Sequence, residues 1–478
     1  MPSVKKNFAY SSVLTLSNYI FPLIVFPYVS RVLGVANIGI CNFVDSIIQY
    51  FIVFSTLGIS TLGIREIAKN KYDYKSRSHV FSALVIINFL STLIAIAALL
   101  LCIYYVPQFY EYKILFLVGA AKLFFNFSLI EWLYKGVENF RYITNRSIIV
   151  RLIYVISIFL FVRQREDYIV YYSLTCVTII INAFINIIHS RKIVTFFFHG
   201  IKLRPYLFPV FVLGLYQIVT SLHTTFNTVF LGFISTEEEV GYYTTSNKLF
   251  LIIIALFTAF TGVMMPRMSS LIADEKIDDF KNYINKSFYV LIEFSIPIII
   301  FAIIYTPEIV KIIAGDGYEG AISPMRISIP LIFIIGYEQI QVIQVLMPMK
   351  RDNDVFKNSC LGAFVGLLLN FIMVPIFASV GSAMAWLGAE ITVLIFAQIS
   401  INKTIVLHFP IKKLVLSIIS YSPLVVLLFI ASVKITDIIF VKLIVAIIIT
   451  ISYFLVLNIF IMRESLTHHL VCRFIKNI

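Results

Sequence analysis

The 478-residue chain is 60% hydrophobic and 13% charged, with a mean hydropathy of +0.94, a composition too apolar for polar residues to cover in water. Its formal charge of +13 points to cytoplasmic loops and anionic headgroups, and nucleic acid is excluded as a partner. Cys41, Cys102, Cys176, Cys360 and Cys472 are scattered without a CxxC pair, which excludes a disulfide framework and a cysteine metal site.

An all-α polytopic membrane protein is therefore expected. Lys5 and Lys6 precede an apolar run that ends in Val29-Ser30-Arg31-Val32-Leu33-Gly34, not in a small-x-small cleavage site, so the run is expected to be a retained first span. Stretches able to cross about 30 Å of hydrocarbon as helices fall at 12–30, 40–63, 80–105, 114–134, 146–163, 168–189, 206–233, 242–265, 286–305, 326–348, 357–378, 380–401, 414–433 and 438–461. These are about 14 spans. They are continuously apolar and do not alternate with period two, so helices are predicted and a barrel is not.

Basic residues mark one set of short loops. Arg65 and Lys69, Arg141 and Arg146, Arg191 and Lys192, Arg267, Lys350 and Arg351, Lys412 and Lys413, and Arg463, Arg473 and Lys476 fall inside if Lys5 and Lys6 do. The other set holds fewer, among them Arg31, Lys113, Arg163 and Lys311, and the acidic run Glu237-Glu238-Glu239. Both termini are expected to be cytoplasmic.

A register links two parts of the chain. Setting Ile38-Gly39 against Val240-Gly241 also sets Arg65 against Arg267 without a gap. Two six-helix halves related by a pseudo-two-fold along the membrane normal are expected, with a C-terminal helix pair. The divisions are 1–190, a basic cytoplasmic linker at 191–205, 206–402, and two extra helices with a tail at 403–478.

A charge at the centre of a span costs about 2.5–3.5 kcal/mol on insertion scales, so it faces a cavity or a partner. The same register sets Asp45 opposite Asn247 and Ser46 opposite Lys248. Asp45, Asn247, Lys248 and Lys122 are read as lining a cationic cavity that receives an anionic headgroup. The alternative for them is a structural ion pair or a snorkelling lysine. Glu131 with Lys135 at i+4 reads as a structural pair. Arg31 and Arg326 are either mouth residues or interface anchors. Glu338, Glu293 and Glu390 are candidates for coupling to H+ or Na+, weighed against hydrogen-bonded helix contacts. Glu338 is followed by Gln339, Gln341 and Gln344, a face too polar for lipid. Pro22, Pro27, Pro297 and Pro330 are expected to bend their helices.

Enzyme signatures are thin. Asp352-Asn353-Asp354 has the DxD form of a metal-bound nucleotide-sugar site, but reads better as a turn and helix cap. His468-His469 lies in the tail without partners. No metal and no cofactor are expected.

Several stretches resemble a known family. They are Pro27-x-x-Ser30-Arg31-Val32-Leu33-Gly34 with Ile38-Gly39, Leu57-Gly58-Ile59 with Gly63-x-Arg65-Glu66-Ile67-Ala68, Glu131-Trp132-x-x-Lys135-Gly136-x-Glu138, and Gly241-Tyr242-x-x-x-Ser246-Asn247-Lys248-Leu249. Together they resemble bacterial polysaccharide-transport and O-antigen flippases of the Wzx type, in the superfamily that also holds multidrug extruders and lipid II flippases. The resemblance implies an inner-membrane transporter, not an enzyme, that turns undecaprenyl-diphosphate-linked oligosaccharide units from the cytoplasmic to the periplasmic leaflet by alternating access. It implies a basic lumen between the halves. Lipid-linked oligosaccharide, membrane lipids, a polysaccharide polymerase and a chain-length regulator are the expected partners, and the helices at 414–461 are candidates for contact with the prenyl tail. The rivals are a cation-coupled multidrug exporter on the same fold and a membrane glycosyltransferase or polymerase.

Overall fold

The computed structural model describes residues 4–197, 200–405, 407, 409–435 and 438–461. His468, His469, Cys472, Arg463, Arg473 and Lys476 lie outside them. The described residues form helices joined by short connections, with no strand among them. Cys41, Cys102, Cys176 and Cys360 are free thiols. The chain divides into two compact units, Met1–Gly241 and Tyr242–Ile478.

Ten of the described helices are long and apolar enough to cross a membrane, or eleven counting the pair Glu237–Ala255 and Phe260–Ala273, which is bent by 45°. The expected fourteen stretches differ from this count at three places. Val4–Thr56 and Asp352–Asn402 run for 53 and 51 residues, and at about 1.5 Å per residue each is more than twice the bilayer core. Both are helical hairpins. In the first unit, Thr144 Oγ1 donates to the Tyr10 carbonyl at 2.9 Å and Tyr28 OH to that of Val162 at 2.7 Å. Tyr10 to Tyr28 thus runs alongside and in the direction of the helix Phe140–Phe161. Beyond the break, Asn37 Nδ2 donates to the Arg165 carbonyl at 2.8 Å, and Tyr172 OH to Asp45 Oδ1 at 3.3 Å. That arm follows the helix Tyr168–Ser190, which runs back antiparallel to Phe140–Phe161. The reversal falls at Gly34, whose φ of 77° suits a residue without a Cβ.

In the second unit the reversal falls at Ala378, where φ is 47°. Gly388 packs on Leu369 and Gly366 on Ala389, so the arms before and after Ala378 lie against each other. The third place is 204–234, where the apolar stretch is divided into Arg204–Thr224 and Phe226–Ile234. Pro22, Pro27 and Pro297 stand inside helices, whereas Pro330 caps Leu331–Gln339.

Lipid is as apolar as leucine, so close packing of small residues and interhelical hydrogen bonds hold such bundles together. In the first unit, Trp132, Phe81, Ile143 and Tyr134 are buried together, with the indole pressed on Gly63. Ser91 Oγ donates to the Ser55 carbonyl at 2.6 Å. A close backbone approach pairs two residues of the register. A Cβ added at Gly39 would lie 1.8 Å from the Glu237 carbonyl oxygen, and one added at Gly241 would lie 2.4 Å from that of Val35. The offset that sets Gly39 opposite Gly241 also sets Val35 opposite Glu237. The contact is therefore reciprocal.

Two cores stand out among the described residues of the second unit. Phe280, Phe288, Leu291, Tyr337 and Ile340 form one. In the other, Tyr421, Leu424 and Leu428 of Ile411–Lys434 pack with Ala446 and Leu457 against Ile292, Ile296 and Tyr305. Lys442 pairs with Glu308 at 3.3 Å, which satisfies the one cation inside the last helix.

Candidate functional site

In the first unit, Lys122 of the helix Lys113–Asn126 is paired with Asp45 Oδ1, the oxygen that also accepts from Tyr172. Lys122 is nearly covered, while Asp45 is 43% exposed. Asp45, read from the register as looking toward Lys248, is answered inside its own unit by Lys122.

Below this pair the chain is broken. Helix Lys113–Asn126 tightens into a 3-10 turn at Phe127–Leu129, passes through Ile130 at φ 39°, and restarts at Glu131–Gly136. The break aims Glu131 inward. Its carboxylate accepts from Arg146 Nη2 at 2.7 Å and meets Lys135 Nζ at 3.7 Å, so the expected i+4 pair is present with a closer partner beside it. Arg146 also donates to Asn186 Oδ1 and, at 3.0 Å, to Ser147 Oγ. Asn186 is fixed in turn by the Leu129 carbonyl and the Tyr142 hydroxyl. In the sequence Arg146 stands at the inside edge of the 146–163 stretch, as its first residue. Asn139 caps the helix by accepting from Tyr142 N, so the helix starts at Phe140 and carries Arg146 two turns inside. Asn139 shortly after Gly136 was the available signal, a cap residue following a stop. Glu131, Lys135, Asn126, Ser60 and Asn88 line a polar cavity of about 150 Å³, in which the buried Asn88 Oδ1 has no hydrogen-bond partner.

In the second unit the polar face after Glu338 sits on a π-helical segment, Ile340–Leu346. Such wide turns gather at functional sites. The Glu338 and Glu390 carboxyls neighbour each other across the bundle. Trp386 Nε1 donates to Glu390 at 2.9 Å. Gln341 Nε2 and Tyr337 OH both donate to Gln398 Oε1, at 2.7 and 2.8 Å, and Ser287 Oγ donates to Gln344 Oε1 at 2.7 Å. Gln339 bonds with Thr258 and Thr261. Trp386 and Gln398 are the partners that sequence reasoning missed, because neither carries a charge.

Lys248 is half-buried on Glu237–Ala273, and the neighbouring Asn247 Oδ1 is buried without a hydrogen-bond partner. Phe250 stands edge-on to Trp386 at 5.1 Å, which brings this helix against the one carrying Glu390. Three candidates stay apart from these clusters. Arg31 is exposed and its guanidinium donates to the Pro27 carbonyl. Arg326 is exposed and donates to the Ile303 carbonyl at 3.2 Å. Glu293 is buried near Tyr421. Asp352 and Asp354 occupy the first turn of their helix, with Asp354 paired to Arg351. No three acidic, histidine or cysteine side chains among the described residues gather as metal ligands.

The profile of the family described as "Polysaccharide biosynthesis protein" matches residues 4–272, and that of MatE matches residues 213–372. A relative from Escherichia coli K12 named "Putative O-antigen transporter" is 27% identical over 412 residues, covering 84% of this chain and 98% of that one. One of the same name from Shigella dysenteriae is 23% identical over 400 residues, covering 82% and 98%. Among solved structures, the inward closed conformation of the lipid II flippase MurJ overlays with a TM-score of 0.79 at 17% identity, over 96% of this chain and 99% of that one. An inward-facing multidrug-resistance MATE transporter overlays with a TM-score of 0.60 at 11% identity, over 81% and 96%.

Proposed function

The chain belongs to the polysaccharide biosynthesis protein family, the Wzx-type branch of the multidrug/oligosaccharidyl-lipid/polysaccharide exporter superfamily, and from that premise we propose that it is a flippase for lipid-linked oligosaccharide. Its substrate is an undecaprenyl-diphosphate-linked repeat unit, carried from the cytoplasmic to the periplasmic leaflet of the bacterial inner membrane. The observation that carries this reading is the likeness to the O-antigen transporter, which extends over 98% of that relative.

Chemistry fits the task. A flippase must shelter a charged, hydroxylated headgroup while its prenyl chain stays in lipid. Lys248, and Lys122 when released from Asp45, supply cations and Asn247 an amide for that headgroup, with Arg31 and Arg326 toward the mouth. Two hairpins and a divided seventh stretch support fourteen crossings, in two six-helix halves with both termini cytoplasmic. Glu338 with Glu390, and Glu293, supply protonatable groups for coupling to H+ or Na+. A polysaccharide polymerase and a chain-length regulator take up the flipped units.

The test is flipping of a fluorescent lipid-linked oligosaccharide in proteoliposomes. Lys248→Ala, and Lys122→Ala in an Asp45→Asn background, are expected to slow flipping while inserting normally. Full transport by both would remove the cationic lumen. A second reading, a cation-coupled multidrug exporter, draws on the MatE match and the carboxyl pair. Transport of a lipid-free cationic drug in the same vesicles, with no flipping of the lipid, would select it.

A further inference from the structure

One end of the first unit carries a basic pocket that the transport reading leaves unused. It has a volume of about 490 Å³ and is built where three connections meet, with Lys71, Arg77, Arg141 and Lys192 set against the single carboxylate of Glu138. The walls are fixed from within the fold. Arg77 donates to the carbonyls of Lys71 and Ile193, which ties the 70–73 turn to the end of Tyr168–Ser190. Lys71 Nζ holds Glu138 at 2.8 Å, so that carboxylate is already matched. Arg141 and Lys192 are exposed and make no ion pair among the described residues. The pocket therefore offers two or more uncompensated cations to a ligand.

A second cavity adjoins it. About 480 Å³ in volume, it shares Asn139 and Arg141 with the first and continues between the helices Phe140–Phe161 and Tyr168–Ser190, past Tyr142, Asn145, Arg146 and His189 to Ile149, Val150 and Ile185. Ile149, Ile153 and Ile156 continue that surface as exposed apolar side chains suited to lipid. A polar anion held by several cations at one end, with an apolar groove leading away from it, is complementary to a lipid that carries a compact multivalent headgroup.

We propose that the basic pocket around Arg141 and Lys192 and the adjoining groove form a docking site for a prenyl diphosphate lipid on the first unit, apart from the Lys122–Asp45 pair. The diphosphate sits against Lys71, Arg77, Arg141 and Lys192, and the prenyl chain lies along the groove. The site captures a lipid-linked substrate at the membrane surface before transport, and in that its ligand class rests on the flippase reading.

The experiment uses the full chain in phosphatidylcholine nanodiscs and measures binding of farnesyl diphosphate, with farnesol and inorganic pyrophosphate as the two fragments. Farnesyl diphosphate is expected to bind more tightly than either fragment and more weakly as salt rises. Arg141→Gln with Lys192→Gln is expected to weaken it about twenty-five-fold, from roughly fivefold for each surface cation removed. Both side chains are exposed, and an unchanged melting curve verifies the fold. Lys403→Gln, which removes an exposed cation outside both the pocket and the proposed lumen, is expected to bind as the unaltered chain does, and because binding is read without transport, a chain that binds but does not flip fails the flippase reading alone. The proposal is overturned if the double variant binds unchanged, in which case the charges only orient the chain. It is overturned equally if pyrophosphate alone binds as tightly, or if phosphatidylglycerol in the disc displaces the prenyl diphosphate.

Discussion

Removing Glu131 should cost more than removing the arginine it holds. Arg146 is buried with 4% of its side chain exposed, whereas that of Glu131 is 34% exposed and has Lys135 as a second partner. Stripping the partner from a buried charge costs about 3–5 kcal/mol. Because Asn186 and Ser147 still hold the guanidinium and the carboxylate is partly solvated, about 2–3 kcal/mol is expected for Glu131→Ala. Arg146→Met removes the buried charge altogether and leaves Glu131 with Lys135, a half-exposed pair, so about 1 kcal/mol is expected. The chain has two tryptophans, and one of them, Trp132, adjoins Glu131 in the buried core. In a Trp386→Phe background, thermal or denaturant unfolding followed by indole fluorescence reports on this site alone. The double variant should fall near Arg146→Met, since the charge that Glu131 served is gone. If Arg146→Met destabilises as much as Glu131→Ala, the pair is not organised around a buried guanidinium and the reasoning fails.

Glu338→Gln and Glu390→Gln should each weaken the dependence of flipping on the proton gradient, because either substitution takes one carboxyl from the shared pair. Flipping that responds to pH as before would remove the coupling role. Gly39→Ala forces a methyl group against the Glu237 carbonyl and should lower the yield of folded protein in detergent, with Gly241→Ala failing in the same way. An alanine tolerated at both positions in a melting assay would contradict the close crossing. At the start of Tyr74–Tyr105, the Asp73 carboxyl is held below its ordinary range by the Ser76 hydroxyl and amide and by Lys75. A carboxylate with a depressed pKa contributes stability that is present at neutral pH and lost as pH falls through its folded-state value. Hydrogen exchange of that first helical turn, corrected for intrinsic rates, should rise over the acid range, and Asp73→Ala should raise it at neutral pH.

The helices were legible because a span is a long apolar run, and length alone sets it apart from a loop. Breaks inside the runs were harder to read. Ala378 and Ile130 carry positive φ angles that nothing in their side chains announces, and only Gly34 belongs to a residue type that invites one. Charged site residues were found because a charge in an apolar run stands out, which is how Asp45, Lys122, Glu338 and Glu390 came to notice. Pairing was another matter. Lys122 meets Asp45 across 77 positions and Glu338 meets Glu390 across 52, and periodicity along one helix is silent about its neighbour. Arg146 was missed for a local reason, since the helix begins earlier than its apolar run and the cap at Asn139 carries no hydropathy.

The crossing of Gly39 and Gly241, both in the first unit, is reciprocal. Each segment touches the other through the residue four positions before its glycine, Val35 on one side and Glu237 on the other. Bulk introduced on either side is met by backbone, which has no alternative rotamer to adopt. The two positions therefore answer to a single gap, and an alanine at both should cost less than the sum of the single costs, because whatever separation admits the first methyl group also makes room for the second.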